Sequence, residues 1–137
     1  MRDYLKDFIT AGMRSRIKAR VTLSEIDVSP DDHARFNKII AAVILNFDVT
    51  IADLQKEEKH NGEIKATRAV WALLRTETKM PFAQIASLFG VTKGYVHFGV
   101  NWVARVMDKS HKMKMSGIDR KQIIEKITAT KKQIEHA

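Results

Sequence analysis

Gly90 stands between two apolar patterns of helical period, PFAQIASLF before it and VTKGYVHFGVNWVARVM after it. That arrangement leaves the chain few ways to fold. Phe82 to Phe89 reads as one short helix, which Gly90 ends, because glycine takes the left-handed conformation that helix termini favour. Val91 is the apolar residue expected to be buried in the turn. Thr92 can N-cap the next helix, which carries Tyr95, Val96, Val100 and Val103. Helix, glycine turn and helix form the layout of a helix-turn-helix, whose second helix enters the major groove of DNA.

The rest of the chain also reads as helix. Its two prolines, Pro30 and Pro81, both suit the first turn of a helix. Residues 2–18 place Leu5, Phe8, Ile9, Met13 and Ile17 at helical spacing, with Arg14, Arg16, Lys18 and Arg20 near the C-terminal end where cations suit the dipole. VTLSEIDVS is a connector. Ser29 or Pro30 opens a helix to about Phe47, with Asp31 and Asp32 in its first turn and Phe36, Ile39, Ile40, Val43, Ile44 and Phe47 as its apolar stripe. Thr50 can cap a short piece from Ile51, and residues 55–63 read as a polar loop containing Asn61-Gly62. A further helix is expected over about Lys65–Thr78, burying Val70, Leu73 and Leu74. After the basic linker KSHKMKMSG, a last helix is expected over about Ile118–His136, with Ile123, Ile127, Thr130 and Ile134 on one face. The expected fold class is all-α: a compact helical bundle containing a helix-turn-helix, with extra N- and C-terminal helices. It divides into an N-terminal helix and connector (1–28), a central DNA-binding domain (29–108), and a linker with a C-terminal helix (109–137).

Composition narrows the function. The net charge is +8, spread as +4 over residues 1–20, −4 over 21–62 and +8 over 63–137. Positive charge therefore gathers on the half that holds the helix-turn-helix, as an electrostatic footprint on phosphate requires. With no cysteine there is neither disulfide nor thiolate metal site, in keeping with a reducing cytoplasm. No apolar run approaches the ~20 residues of a membrane span. The N-terminus lacks the continuous apolar core of a signal peptide.

From about Phe36 to Met107 the chain resembles the C-terminal duplex-DNA-binding domain of the bacterial replication initiator DnaA. IIAAVILNFDVTIADL looks like the family's opening helix and its Ala-Asp-Leu turn. IKATRAVWALLR is similar to its next, basic-started apolar helix, and TKMPFAQIASLFG to the segment before the recognition helix. The order and spacing of these pieces carry the resemblance, over about half the chain. Where the family has a signature close to Arg-Asp-His-Thr/Ser-Thr-Val, this chain has Val91, Thr92, Lys93, Gly94, Tyr95 and Val96. Only the core valine is kept, so the initiator's own target does not carry over. The family's basic minor-groove loop is matched by a segment with Lys56, Lys59 and His60 but also Glu57, Glu58 and Glu63. There is no GxxxxGK[ST] phosphate loop, hence no initiator ATPase.

On this reading Val96, Val100 and Val103 pack inward. Thr92, Lys93, Gly94, Tyr95, His97 and Asn101 are the base-reading candidates at the N-terminal end of the recognition helix. Lys93 can donate to guanine and Asn101 can pair with adenine, while Tyr95 or Thr92 can touch a thymine methyl or a phosphate. Gly94 leaves room for close backbone approach. The resemblance places Arg68 and Arg75 on the phosphate backbone with Lys65 close by, where contacts position the protein without specifying sequence. The blander alternatives are Tyr95 packed on Phe82, His97 as a partly buried polar residue, and Phe98 and Trp102 filling gaps against the first or last helix.

An enzyme is not expected. His33, His60, His97, His111 and His136 fall in no metal-ligand spacing, and no Ser/His/Asp pattern stands out. No cofactor and no membrane partner are expected. The function expected is sequence-specific binding of double-stranded DNA by a transcription regulator of phage, prophage or mobile-element type, nucleoid-associated in the cytoplasm. RNA polymerase or a replication protein would be its partner. An origin-binding accessory or competitor of the initiator is the alternative, and a protein-interaction factor that reads no DNA is a further one. The 4-3-4 spacing of Ile123, Ile127, Thr130 and Ile134 suits either a homodimer seam or packing on the chain's own core.

Overall fold

The computed structural model describes residues 2–14 and 28–136. Seven helices are described: α1 (Tyr4–Arg14), α2 (Pro30–Phe47), α3 (Ile51–Gln55), α4 (Asn61–Glu77), α5 (Phe82–Phe89), α6 (Lys93–Met107) and α7 (Gly117–His136). Among the described residues there is no strand, and no helix is long and apolar enough to cross a membrane. The side chains of Met13 and Arg14, with Arg16, Ile17, Lys18, Arg20 and connector residues 21–27, lie outside the described residues.

Local signals set the helix ends. The Ser29 hydroxyl accepts from Asp32 N–H at 3.2 Å, with Pro30 opening α2. Thr50 and Asp53 form a reciprocal capping box, at 3.1 and 2.9 Å. Gly90 is left-handed, φ 66°, and with Val91 returns its N–H to the last turn of α5. The Thr92 hydroxyl accepts from Tyr95 N–H at 3.1 Å and so begins α6.

One boundary differs from expectation. α4 begins at Asn61 rather than near Lys65, so the polar loop is shorter than residues 55–63. Glu63 reaches back to accept from His60 N–H at 2.7 Å. That bond satisfies a donor at the helix start, and it places Asn61-Gly62 in the first helical turn instead of a free turn.

α4 is the central helix, packed chiefly against α6 and α2. Ala66, Ala69, Val70, Trp71, Leu73 and Leu74 are all buried on it. α1 lies on α2 and α5. Its Phe8 ring meets Phe36 edge-on at 5.5 Å and lies 4.7 Å from Phe89. The carbonyl of the buried Asn37 side chain accepts from Leu5 N–H at 2.9 Å. Asp3 takes the His33 ring at 2.7 Å, and that bond holds its carboxyl below the ordinary value. α1 is thus tied by both apolar and polar contacts to the domain that follows.

α7 packs mainly on α2, with Ile123, Ile127 and Thr130 buried and Ile134 half-buried. The 4-3-4 spacing is therefore used within the chain, as packing on its own core. The apolar face is covered by a nearer partner, reached at no cost in association entropy. Residues 109–116 are no free linker either, because Met113 and Met115 pack against the core. The terminal helices share one core with residues 29–108, which includes Leu5, Phe8, Ile123 and Ile127.

Candidate nucleic-acid interface

α6 turns Val96, Gly99, Val103 and Val106 into the core, while Val100 is half-buried. Val91, expected to be buried in the turn, is likewise half-buried at the edge of the core. The other side of the first two and a half turns of α6 is open. Thr92, Lys93, Gly94, Tyr95, His97, Phe98 and Asn101 are all exposed. These include every residue expected to read bases, with Tyr95 turned toward α4 and His97 toward α5.

Their local partners differ from expectation. Tyr95 packs not on Phe82 but edge-on against Trp71, with ring centroids 5.6 Å apart. Phe82 is covered instead by the His97 ring at 5.0 Å and by the Arg75 guanidinium at 4.3 Å. His97 is exposed rather than partly buried, and its Nδ1 lies 3.3 Å from the Asn101 amide nitrogen. Those two polar side chains therefore form a linked pair one helical turn apart. A Cβ added to Gly94 would meet nothing within 4 Å.

The three residues expected on the phosphate backbone, Lys65, Arg68 and Arg75, are half-buried on α4. The Arg75 guanidinium also donates to Met80 carbonyl at 3.0 Å, so it braces the entry to α5. Arg68 lies between two rings of α6, 5.2 Å from the Phe98 centroid and 5.0 Å from that of Trp102. Phe98 and Trp102 were expected to fill gaps against the first or last helix. They flank Arg68 on α4 instead, because α6 crosses α4 closely at Gly99. Their i, i+4 spacing was visible in the sequence; the cation between them was not.

The electrostatics favour an anion. No acidic residue occurs from Thr78 to Met107, the whole of the helix-turn-helix and its approach. Among the described residues, none of Lys65, Arg68, Arg75 and Lys93 is ion-paired with a carboxylate. The loop before α4 is different. Lys56 pairs with Glu63 and, at 3.5 Å, with Asp53. Glu63 holds the Lys56 ammonium above its ordinary pKa, and the Thr50 N–H draws Asp53 down to about 2. A cation neutralised in this way contributes little to phosphate attraction.

A cavity of about 440 Å³ lies beside the N-terminal end of α6, lined by Lys56, Arg68, Trp71, Val91 and Tyr95 among others. The Trp71 indole N–H and the Arg68 Nε are buried without an acceptor in the protein. Among the described residues, no group of three or more His, Asp or Glu side chains is placed to hold a metal ion. No protein-family model matches the chain, and no curated protein is significantly similar to it in sequence.

Proposed function

We propose that this chain is a sequence-specific double-stranded DNA-binding protein that places the N-terminal half of α6 in the major groove. A transcription regulator of phage, prophage or mobile-element type suits a chain with an initiator-like DNA-binding unit, no phosphate loop, and altered base-reading residues. Such a protein would be found with the nucleoid, and RNA polymerase would be its natural partner.

The observation that carries this reading is the face of α6 from Thr92 to Asn101. It is exposed, free of carboxylates, and flanked by Lys65, Arg68, Arg75 and Lys93, none of them ion-paired. Cations left without acids beside an open helix N-terminus match the demands of a groove walled by phosphate. Lys93 and the His97–Asn101 pair supply donors and acceptors for base edges.

Selection from a random duplex pool at physiological salt, together with genome-wide occupancy in the host, tests the proposal. A defined motif near promoters supports a regulator. A motif at a replication origin moves the role to an origin-binding accessory or a competitor of the initiator, the alternative that the DnaA resemblance favours. Binding to no duplex, or binding without preference, overturns sequence-specific reading and leaves a protein-interaction factor.

A further inference from the structure

Phe98 is a large apolar side chain left 50% exposed in the middle of the open face of α6. It shares a helical turn with His97 and lies between Gly94 and Asn101, so it occupies the ridge proposed to face base edges. A phenyl ring in that place costs hydration free energy in the free protein unless something covers it.

The ring is also held. A Cβ at Gly99 would fall 2.7 Å from Trp71 Cε3 and 3.1 Å from Arg68 Cγ, so only glycine lets α6 come this close to α4. That approach brings Phe98 and Trp102, one turn apart, to either side of the Arg68 guanidinium at 5.2 and 5.0 Å. Cation–π attraction on one side restrains the ring and leaves the rest of it facing outward.

We propose that Phe98 is a specificity-determining residue that reads a thymine through its C5-methyl group, with Arg68 as the positioning residue that holds the ring and meets the neighbouring phosphate. Apolar contact with that methyl is how a phenyl group distinguishes thymine in the major groove. A ring already restrained loses less rotamer freedom on binding. The inference rests on the DNA-binding reading and adds to it a residue and a base.

The test replaces each thymine of a selected duplex in turn with deoxyuridine, which lacks only the methyl. The wild-type chain is expected to lose about fourfold in affinity at one or two positions, the worth of burying one methyl group. Phe98→Ala should bind the parent duplex more weakly and show no further loss at those positions. Arg68→Lys keeps the charge but loses the planar stack, so discrimination should shrink with the salt dependence unchanged. A wild-type chain indifferent to every thymine methyl overturns the inference while DNA binding stands, and so does a penalty that persists in Phe98→Ala. That first comparison uses only the wild-type protein, so it holds even if a variant folds poorly. Failure to bind any duplex overturns both this inference and the reading beneath it.

Discussion

Arg120 of α7 donates from its Nε to the carbonyl of Val106 in the last turn of α6, at 3.0 Å. The same guanidinium reaches the carbonyls of Arg105 at 3.1 Å and His111 at 2.7 Å, and also that of Asp108. A helix C-terminus leaves carbonyls without donors, and a cation there also suits the dipole. One side chain therefore closes the C-terminal end of α6, orders the segment after it and joins both to α7.

Arg120→Ala should cost about 2 kcal/mol of stability, the range for hydrogen bonds from a charged donor. Faster amide exchange should be confined to the end of α6 and the following segment. Urea unfolding with site-resolved hydrogen exchange checks this. Unchanged exchange over residues 105–112 would mean that the segment is held by its other contacts, such as the Ser110–Asp108 bonds and the packing of Met113 and Met115.

Two glycines of α6 should respond in opposite directions. Gly94→Ala meets open space and should stabilise the fold by about 0.5–1 kcal/mol through helix propensity. Gly99→Ala drives a methyl to within 2.7 Å of the rigid Trp71 ring, which is only 2% exposed. Overpacking of about 1–3 kcal/mol should exceed the propensity gain and destabilise the protein. Thermal unfolding of the pair decides it. If Gly94→Ala also weakens DNA binding while raising stability, close backbone approach at that position is the cause.

Lys93→Ala should weaken binding to a selected site more than binding to random duplex, whereas Arg75→Ala should weaken all duplexes alike. Removing one phosphate contact lowers the slope of log affinity against log salt by about one. Titration at several salt concentrations separates the two. Equal losses on both duplexes for Lys93→Ala would place that ammonium on phosphate instead of a base.

Asp53 offers a pH test away from the proposed groove. Its folded pKa of about 2 lies below its ordinary 3.8. Its contribution to stability is therefore complete above about pH 4 and lost as pH falls through about 2. Asp53→Asn should lower the melting temperature at neutral pH, with the difference from wild type narrowing between pH 4 and 2. A constant difference across that window would show that the capping geometry matters and the carboxylate charge does not.

Ile127, 1% exposed on α7 and close to residues of α4 and α6, tests the seam. Ile127→Ala should cost about 2–5 kcal/mol as a core cavity, with no change of mass in solution. A loss of dimer mass on that substitution would return the seam to an intermolecular role.

Sequence by itself determined the helices and most of their ends. Ser29, Thr50, Gly90 and Thr92 act through hydrogen bonds or a backbone conformation within a few residues, so their effect is legible in a local window. The apolar stripe of α2 is legible for the same reason, since period alone selects the buried face. Even the start of α4 was encoded locally, by Glu63 three residues after His60, but Asn61-Gly62 is an equally good turn signal and masked it. Tertiary structure alone decided the rest. The seam of α7 could satisfy a second copy or its own α2, and proximity within the fold chose α2. Arg120 finds its carbonyls on another helix, and Arg68 finds its two rings only because α6 crosses α4 at a glycine. Such partners lie far apart along the chain, and their meeting depends on how helices pack, which no local pattern records.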